Sequence, residues 1–325
     1  SSGAGDRLNF QTLKLQDREN DMNRHLHRSV LTAALLAALA VAADAHAGSP
    51  INASHAATAD AQVEVSNVRG RIQVTGWDQQ KVEVTGTLGE GSEFSMEGSD
   101  SHLVIEIKSK GDNDWSWFGS RGPREDTTIE VKVPRRASLE VDGVSADVQV
   151  DGIAGAKELD VESVSGDVEV QGDAERVEVS SVSGDARVTS NTKRARLETV
   201  SGDLTARGVS GSLSAESVSG RMTLEAASLD DADLSTVSGD VELEVGAITG
   251  GRVRVESMSG EVSLTVPASL SARIEAETFS GKIRSDFGNV EDGDGPGSHL
   301  KATAGKGDAE VSLESFSGDL TIRRK

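Results

Sequence analysis

From about residue 61 to the C-terminus, apolar and polar residues alternate with a period of two, and the alternation is interrupted at intervals by the tripeptide V-S-G or a near relative. The tripeptide begins at Val164, Val182, Val200, Val218, Val237, Met258, Phe279 and Phe316, in steps of 18, 18, 18, 19, 21, 21 and 37 residues, with weaker copies at Val144 and Val68. Counted from that first residue, the anchor, the positions five and three places earlier are apolar in every copy, from Leu159 and Val161 to Val311 and Leu313. The position four places later is apolar as well: Val168, Ala186, Leu204, Met222, Val241, Val262, Ile283 and Leu320. Each copy therefore reads as two short strands flanking a Ser-Gly corner, and no helical period competes.

One such repeat buries too few Val, Leu and Ala side chains to offset the entropy of ordering its backbone. Stability must come from neighbouring repeats lying on one another about 4.8 Å apart. The pattern predicts an all-β fold, a single-chain β-solenoid of 18 to 21-residue rungs with V-S-G-D corners, with an antiparallel meander or sandwich as the alternative. In the solenoid the anchors are expected to form one buried file, and the change from valine to Met258, Phe279 and Phe316 to plug the C-terminal end of the core. The corner glycines Gly166, Gly184, Gly202, Gly220, Gly239, Gly260, Gly281 and Gly318 are expected to supply a backbone conformation closed to other residues. The serine beside each glycine is expected to bond its own turn or its stacked neighbour, because eight equivalent serines with no histidine at a repeated offset are not nucleophiles.

Composition fits a thin aliphatic core with many corners: 3% aromatics, no tyrosine, 35 glycines and five prolines in 325 residues. The leading segment differs. Residues 22–47 read as a secretory signal, with Arg24 and Arg28 ahead of an apolar run from Val30 to Ala43 and an Ala45-His46-Ala47 cleavage site. Residues 1–21 are expected to be an upstream, non-native segment, and 48–60 a linker. An N-terminal strand region then spans 61–143 and the repeat region 144–325. A chain cleaved after Ala47 is expected in the periplasm or outside the cell, with no membrane span left. No cysteine is present, which excludes disulfides and thiolate metal sites.

The net charge of −21 repels nucleic acid and anionic lipid, so neither is an expected partner. Two places before the anchors stand Glu162, Ser180, Glu198, Glu216, Ser235, Glu256, Glu277 and Glu314, pointing outward by parity. Such a ladder reads as a solvated acidic face; Glu198, Glu216, Glu256 and Glu277 are its weak candidates for a divalent cation, and no metal or other cofactor is expected. The column three places after the anchor (Asp167, Asp185, Asp203, Arg221, Asp240, Glu261, Lys282, Asp319) mixes signs, so its charges can neutralise one another. Within 110–126, Trp115, Trp117 and Phe118 are expected to fold back over the open N-terminal end of the core; a ligand loop is their alternative role.

"VSNVRGRIQVTGWD" at Val65 to Asp78, "IEVKVPRRASLEVDGVSADVQVDG" at Ile129 to Gly152 and the recurrent "VSGDVEV" resemble the bacterial "putative adhesin" family of β-strand-repeat proteins, a domain of unknown function. Ala146 departs from the pattern, standing where the family has glycine. The resemblance implies a secreted or envelope-associated stack of strands and carries no catalytic residues. The expected function is non-enzymatic, adhesive or structural, with an envelope protein or a glycan as partner. An extracellular self-associating scaffold is the second reading and a polysaccharide-processing β-helix enzyme the last, since no histidine lies between Val144 and Phe287.

Overall fold

In a computed structural model of the chain, residues 48–110, 125–292 and 297–325 are described. The signal-like segment, residues 1–21 and the aromatic trio Trp115, Trp117 and Phe118 lie outside the described residues. Within them the two-residue alternation becomes strand after strand. The first group is β1 (Ser49–Ala56), β2 (Gln62–Trp77), β3 (Lys81–Leu88), β4 (Ser92–Ser99), β5 (His102–Ser109) and β6 (Thr127–Pro134). Then follow β7 (Ser138–Ser165), β8 (Val168–Ser183), β9 (Ala186–Thr189), β10 (Arg194–Ser201), β11 (Leu204–Ser219), β12 (Met222–Ser238), β13 (Val241–Val245), β14 (Ile248–Ser259) and β15 (Val262–Val266). The last are β16 (Ala272–Ser280), β17 (Ile283–Ser285), β18 (Glu291–Asp292), β19 (Ser298–Ala304), β20 (Ala309–Ser317) and β21 (Leu320–Arg324).

The repeats lie on one another in parallel. Leu159 and Val161 of β7 pair with Val177 and Val179 of β8, which pair with Ala195 and Leu197 of β10, then Leu213 and Ala215 of β11. Because a two-residue period sends like positions to the same side, in-register stacking turns each apolar position into a continuous file. The files five and three before the anchor and four after it are all buried, as the alternation predicts. This parallel pairing fits the solenoid and not the meander, whose neighbours run antiparallel.

Order along the stack departs from order along the chain at both ends. Near the C-terminus β20 pairs with β14 on one side and β16 on the other, and β21 likewise lies between β15 and β17. The chain overshoots to β16, turns back through β19, which runs antiparallel along β16, and slots its last repeat inside. Near the N-terminus the first rung, β2, is interior too: β7 covers one side, and β5 and β6 together cover the other. β5 and β6 therefore belong to a single rung. Antiparallel strands close both ends, with β4 on β5, β3 on β6 and β1 on β3. Residues 48–60, expected as a linker, contain β1 with Ile51 buried in the core.

The most individual residues of the N-terminal region have a packing role. A Cβ on Gly76 would lie 2.2 Å from the Gly152 carbonyl oxygen, so only glycine lets β2 approach that turn of the next rung. Trp77 follows, donating its indole N–H to the Lys81 carbonyl at 2.9 Å, with the Lys81 and Lys132 ammonium groups 5.0 and 5.5 Å from its ring. Arg135 bonds Asp78 at 2.7 Å and closes the same corner.

Candidate functional site

The anchors are not in the core. Val144, Val164, Val182, Val200, Val218, Val237, Met258, Phe316 and Phe279, in their order along the stack, are between 47% and 61% exposed. Parity explains the correction. From buried Val161 the alternation sends Glu162 out, Ser163 in and Val164 out, so it is the residue before the anchor that enters the interior. The expected plug of Met258, Phe279 and Phe316 is corrected with it, because these side chains lie outside and the antiparallel strands close the end instead.

Glu162 and Val164 thus flank an inward Ser163, and each rung repeats the arrangement. The outward side chains face one another across a groove of about 1230 Å³ that follows the stack axis. Nine anchors at about 4.8 Å spacing make it roughly 38 Å long. One wall is the apolar file, ending in a parallel stack of Phe316 on Phe279 with ring centroids 5.1 Å apart. The other wall carries Asp142, Glu162, Glu198, Glu216, Glu256, Glu314 and Glu277, with Ser180 and Ser235 between them. Every ionisable side chain lining the groove is a carboxylate.

The inward hydroxyl column was not anticipated. Ser163 and Ser181 each donate to the carbonyl of the corner glycine three residues on, at 3.4 Å, and Thr278 reaches the Gly318 carbonyl at 3.0 Å. This is the turn bond expected of the V-S-G serine, made two positions earlier. The hydroxyls of Thr199, Ser217, Thr236, Ser257 and Ser315 are buried and make no hydrogen bond.

Two further columns hold the corner in register. The glycines stack directly: a Cβ on Gly184 would lie 2.2 Å from the Gly166 carbonyl oxygen, and one on Gly202 would lie 2.1 Å from that of Gly184. The same contact places Gly318 between Gly260 and Gly281, at 1.9 and 2.1 Å, which repeats the exchanged order of the last rungs. At Ala146, where the family pattern has glycine, β7 runs on without a positive φ and the methyl group is buried. The aspartates beyond the glycines accept backbone N–H groups from the next rung: Asp167 from Asp185, Asp185 from Asp203 and Asp203 from Arg221, at 2.9 to 3.0 Å. Their recurrence follows from this bond, and in the same column Arg221 and Asp240 pair at 3.5 Å, the neutralisation expected of its mixed signs.

Electrostatics is uneven along the groove. Arg196 pairs with Glu198 and Arg254 with Glu256 from outside the lining, whereas Glu162 and Glu216 form no salt bridge among the described residues. At the valine end the carboxylates crowd. Burial, then the nearby Glu178, Glu162, Glu140 and Glu158, pushes Asp160 up to about 6. Burial first and neighbouring acids second raise Asp142 and Glu140 as well. Among the described residues no group of three or more His, Asp or Glu side chains converges where a metal ion could sit; Glu198, Glu216, Glu256 and Glu277 are instead spread along one wall on separate rungs. No helix among the described residues is long and apolar enough to cross a membrane.

Residues 58–323 match the family described as Toastrack DUF4097. The chain belongs to the Toastrack family. That match runs from the N-terminal rungs through the last repeat, so the Toastrack unit includes both regions distinguished in the sequence. This Toastrack chain is similar to the crystal structure of a "putative adhesin" from Parabacteroides distasonis, with 12% identity, a TM-score of 0.41, and 86% of this chain and 98% of that one covered. It is similar also to a "putative adhesin" from Bacteroides fragilis (13% identity, TM-score 0.37, covering 85% and 97%). A "putative lipid binding protein" from Parabacteroides distasonis shows 14% identity and a TM-score of 0.41, covering 84% and 97%. No curated protein sequence matches the chain.

Proposed function

We propose that this Toastrack protein is a non-enzymatic interaction protein of the bacterial envelope or the extracellular space, and that the corner groove is its binding surface. The observation that carries the reading is the exposed anchor file. A stack that needs its apolar residues for a thin core nevertheless holds one column of Val, Met and Phe at the surface, opposite an acidic wall, over the length of the repeats. Contiguous exposed apolar surface of this kind marks interaction sites. The signal-like segment at residues 22–47 supports a place outside the cytoplasm.

A lining of valines and carboxylates without His, Lys or Arg gives the enzyme reading no acid/base pair of unlike environments along most of its length. The antiparallel strands at both ends leave end-to-end scaffold assembly less supported than lateral binding.

Retention on isolated bacterial envelopes tests the reading. The wild-type chain is expected to be retained, and a Val182→Asp/Val218→Asp variant, folded by circular dichroism, to be retained at least about tenfold less, a loss of about 1.4 kcal/mol. Equal retention of the two contradicts it.

A further inference from the structure

We infer that the groove takes a basic, amphipathic polypeptide segment lying along the stack axis, its apolar side chains on the anchor file and its Lys and Arg side chains on the carboxylate wall. The inference rests on the groove being the binding surface and specifies what it binds. Charge complementarity selects the occupant. The lining contains acids and no bases, and Glu162 and Glu216 have no salt-bridge partner of their own among the described residues, so a cation placed beside them displaces no internal pair.

Other occupants meet the same wall less well. A second copy would set one acidic wall against another on chains of net charge −21. Anionic lipid is repelled for the same reason, and an acyl chain leaves a full-length row of carboxylates facing hydrocarbon without a counter-charge. A polypeptide can supply both chemistries on every turn. About 20 to 25 residues of helix, ~30 to 38 Å long, would span the groove, and the 5.4 Å pitch lies close to the ~4.8 Å rung spacing.

The two ends differ, which gives the occupant a direction. Asp142, Asp160 and Glu162 crowd the valine end, while Phe316 and Phe279 stack at the other. The more basic part of the segment belongs at the first end and its bulkiest apolar part at the second.

The test uses a fluorescent synthetic peptide of about 20 residues with Lys and Leu in helical period, and a matched peptide with Glu for Lys, titrated with the full chain. The basic peptide is expected to bind, to weaken steeply with added salt, and to lose at least about tenfold in affinity to a Val182→Thr/Val200→Thr/Val218→Thr variant and again to Glu198→Gln/Glu216→Gln. The glutamine variant leaves the apolar file intact and serves alone if the threonine variant folds poorly. Equal binding of both peptides, no binding of the basic one, or binding that ignores both variants overturns the inference. Cosedimentation with phosphatidylcholine or phosphatidylglycerol vesicles that depends on the anchor valines also overturns it, in favour of lipid. If the peptide fails while envelope retention still depends on Val182 and Val218, the groove stands and only its occupant is wrong; if neither depends on them, the groove itself is not the site.

Discussion

Phe316 stacks on Phe279 with the two ring planes 9° apart, although the chain passes through β17, β18 and β19 on its way from one to the other. The contact follows from the exchanged order of the last rungs, in which β20 lies between β14 and β16. Removing residues 309–325 should therefore leave four internal strand edges unpaired, those of β14 and β16 and of β15 and β17, not trim an end. The expected outcome is an insoluble or molten chain, read by thermal melting and near-ultraviolet circular dichroism. Phe316→Ala, which removes a half-exposed ring, should cost only about 1 kcal/mol. A truncated chain that melts like the whole one would rule out the exchanged order.

The glycine column predicts a contrast between two substitutions. At Gly202, with φ at 131°, an added Cβ would lie 2.1 Å from the Gly184 carbonyl oxygen, and neither backbone can give way without loss of register. Gly202→Ala should destabilise by at least about 3 kcal/mol. Gly155 has φ at 81°, and a Cβ added there would meet nothing within 4 Å, so Gly155→Ala should cost only about 1 kcal/mol. Urea unfolding of both variants measures the difference.

The aspartate column predicts a dependence on acceptor more than on charge. Asp203 accepts the Arg221 N–H at 2.9 Å, and its own N–H donates to Asp185 at 3.0 Å. Asp203→Ala should lose about 1 kcal/mol, while Asp203→Asn, which keeps an acceptor oxygen, should retain most of it. Denaturant midpoints of the two variants decide whether the bond or the charge is what the position requires.

Asp160 predicts the sign of a pH effect. Its carboxyl is pushed up to about 6, first by burial and then by Glu178 and Glu162, from an ordinary 3.8. Between those values the folded chain holds a proton that the unfolded chain releases. The contribution to stability is therefore complete below about pH 4 and is lost as the pH rises through about 6. Asp160→Asn should stabilise the protein at pH 7 by about 1 kcal/mol, a figure reduced for the partial exposure of the site, and should give no gain at pH 4. A gain of equal size at both pH values would show that the carboxyl is not the titrating group.

Much of the architecture was legible because the inward columns are chemically uniform. Leu159, Val161 and Val168, with their equivalents in each repeat, are apolar and buried, and Leu159 and Val161 stand two places apart on one strand. The groove was not legible for a related reason. Val164 is as apolar as Val161 but an odd number of places away, and its composition outweighed its parity; carried through from Val161, the alternation puts Ser163 inside and Val164 outside. The exchanged order of β16 and β20 leaves no mark in the periodicity, because in-register rungs are interchangeable as far as their columns go. Only the 37-residue step and the paired phenylalanines hinted at it. The hydroxyl column was hidden because Ser and Thr read as polar surface until burial shows otherwise.

The groove exists only if the anchor file is surface and the column three places earlier is core. The chain has no cysteine, so one introduced thiol reports on one position. Val200→Cys and Leu197→Cys are to be treated in the folded state with a maleimide, and the modification rates compared with those in denaturant. Val200→Cys is expected to react in the folded protein at close to its denatured rate, while Leu197→Cys is protected until the protein unfolds. Protection of Val200→Cys equal to that of Leu197→Cys would return the anchors to the interior and leave the protein without its groove.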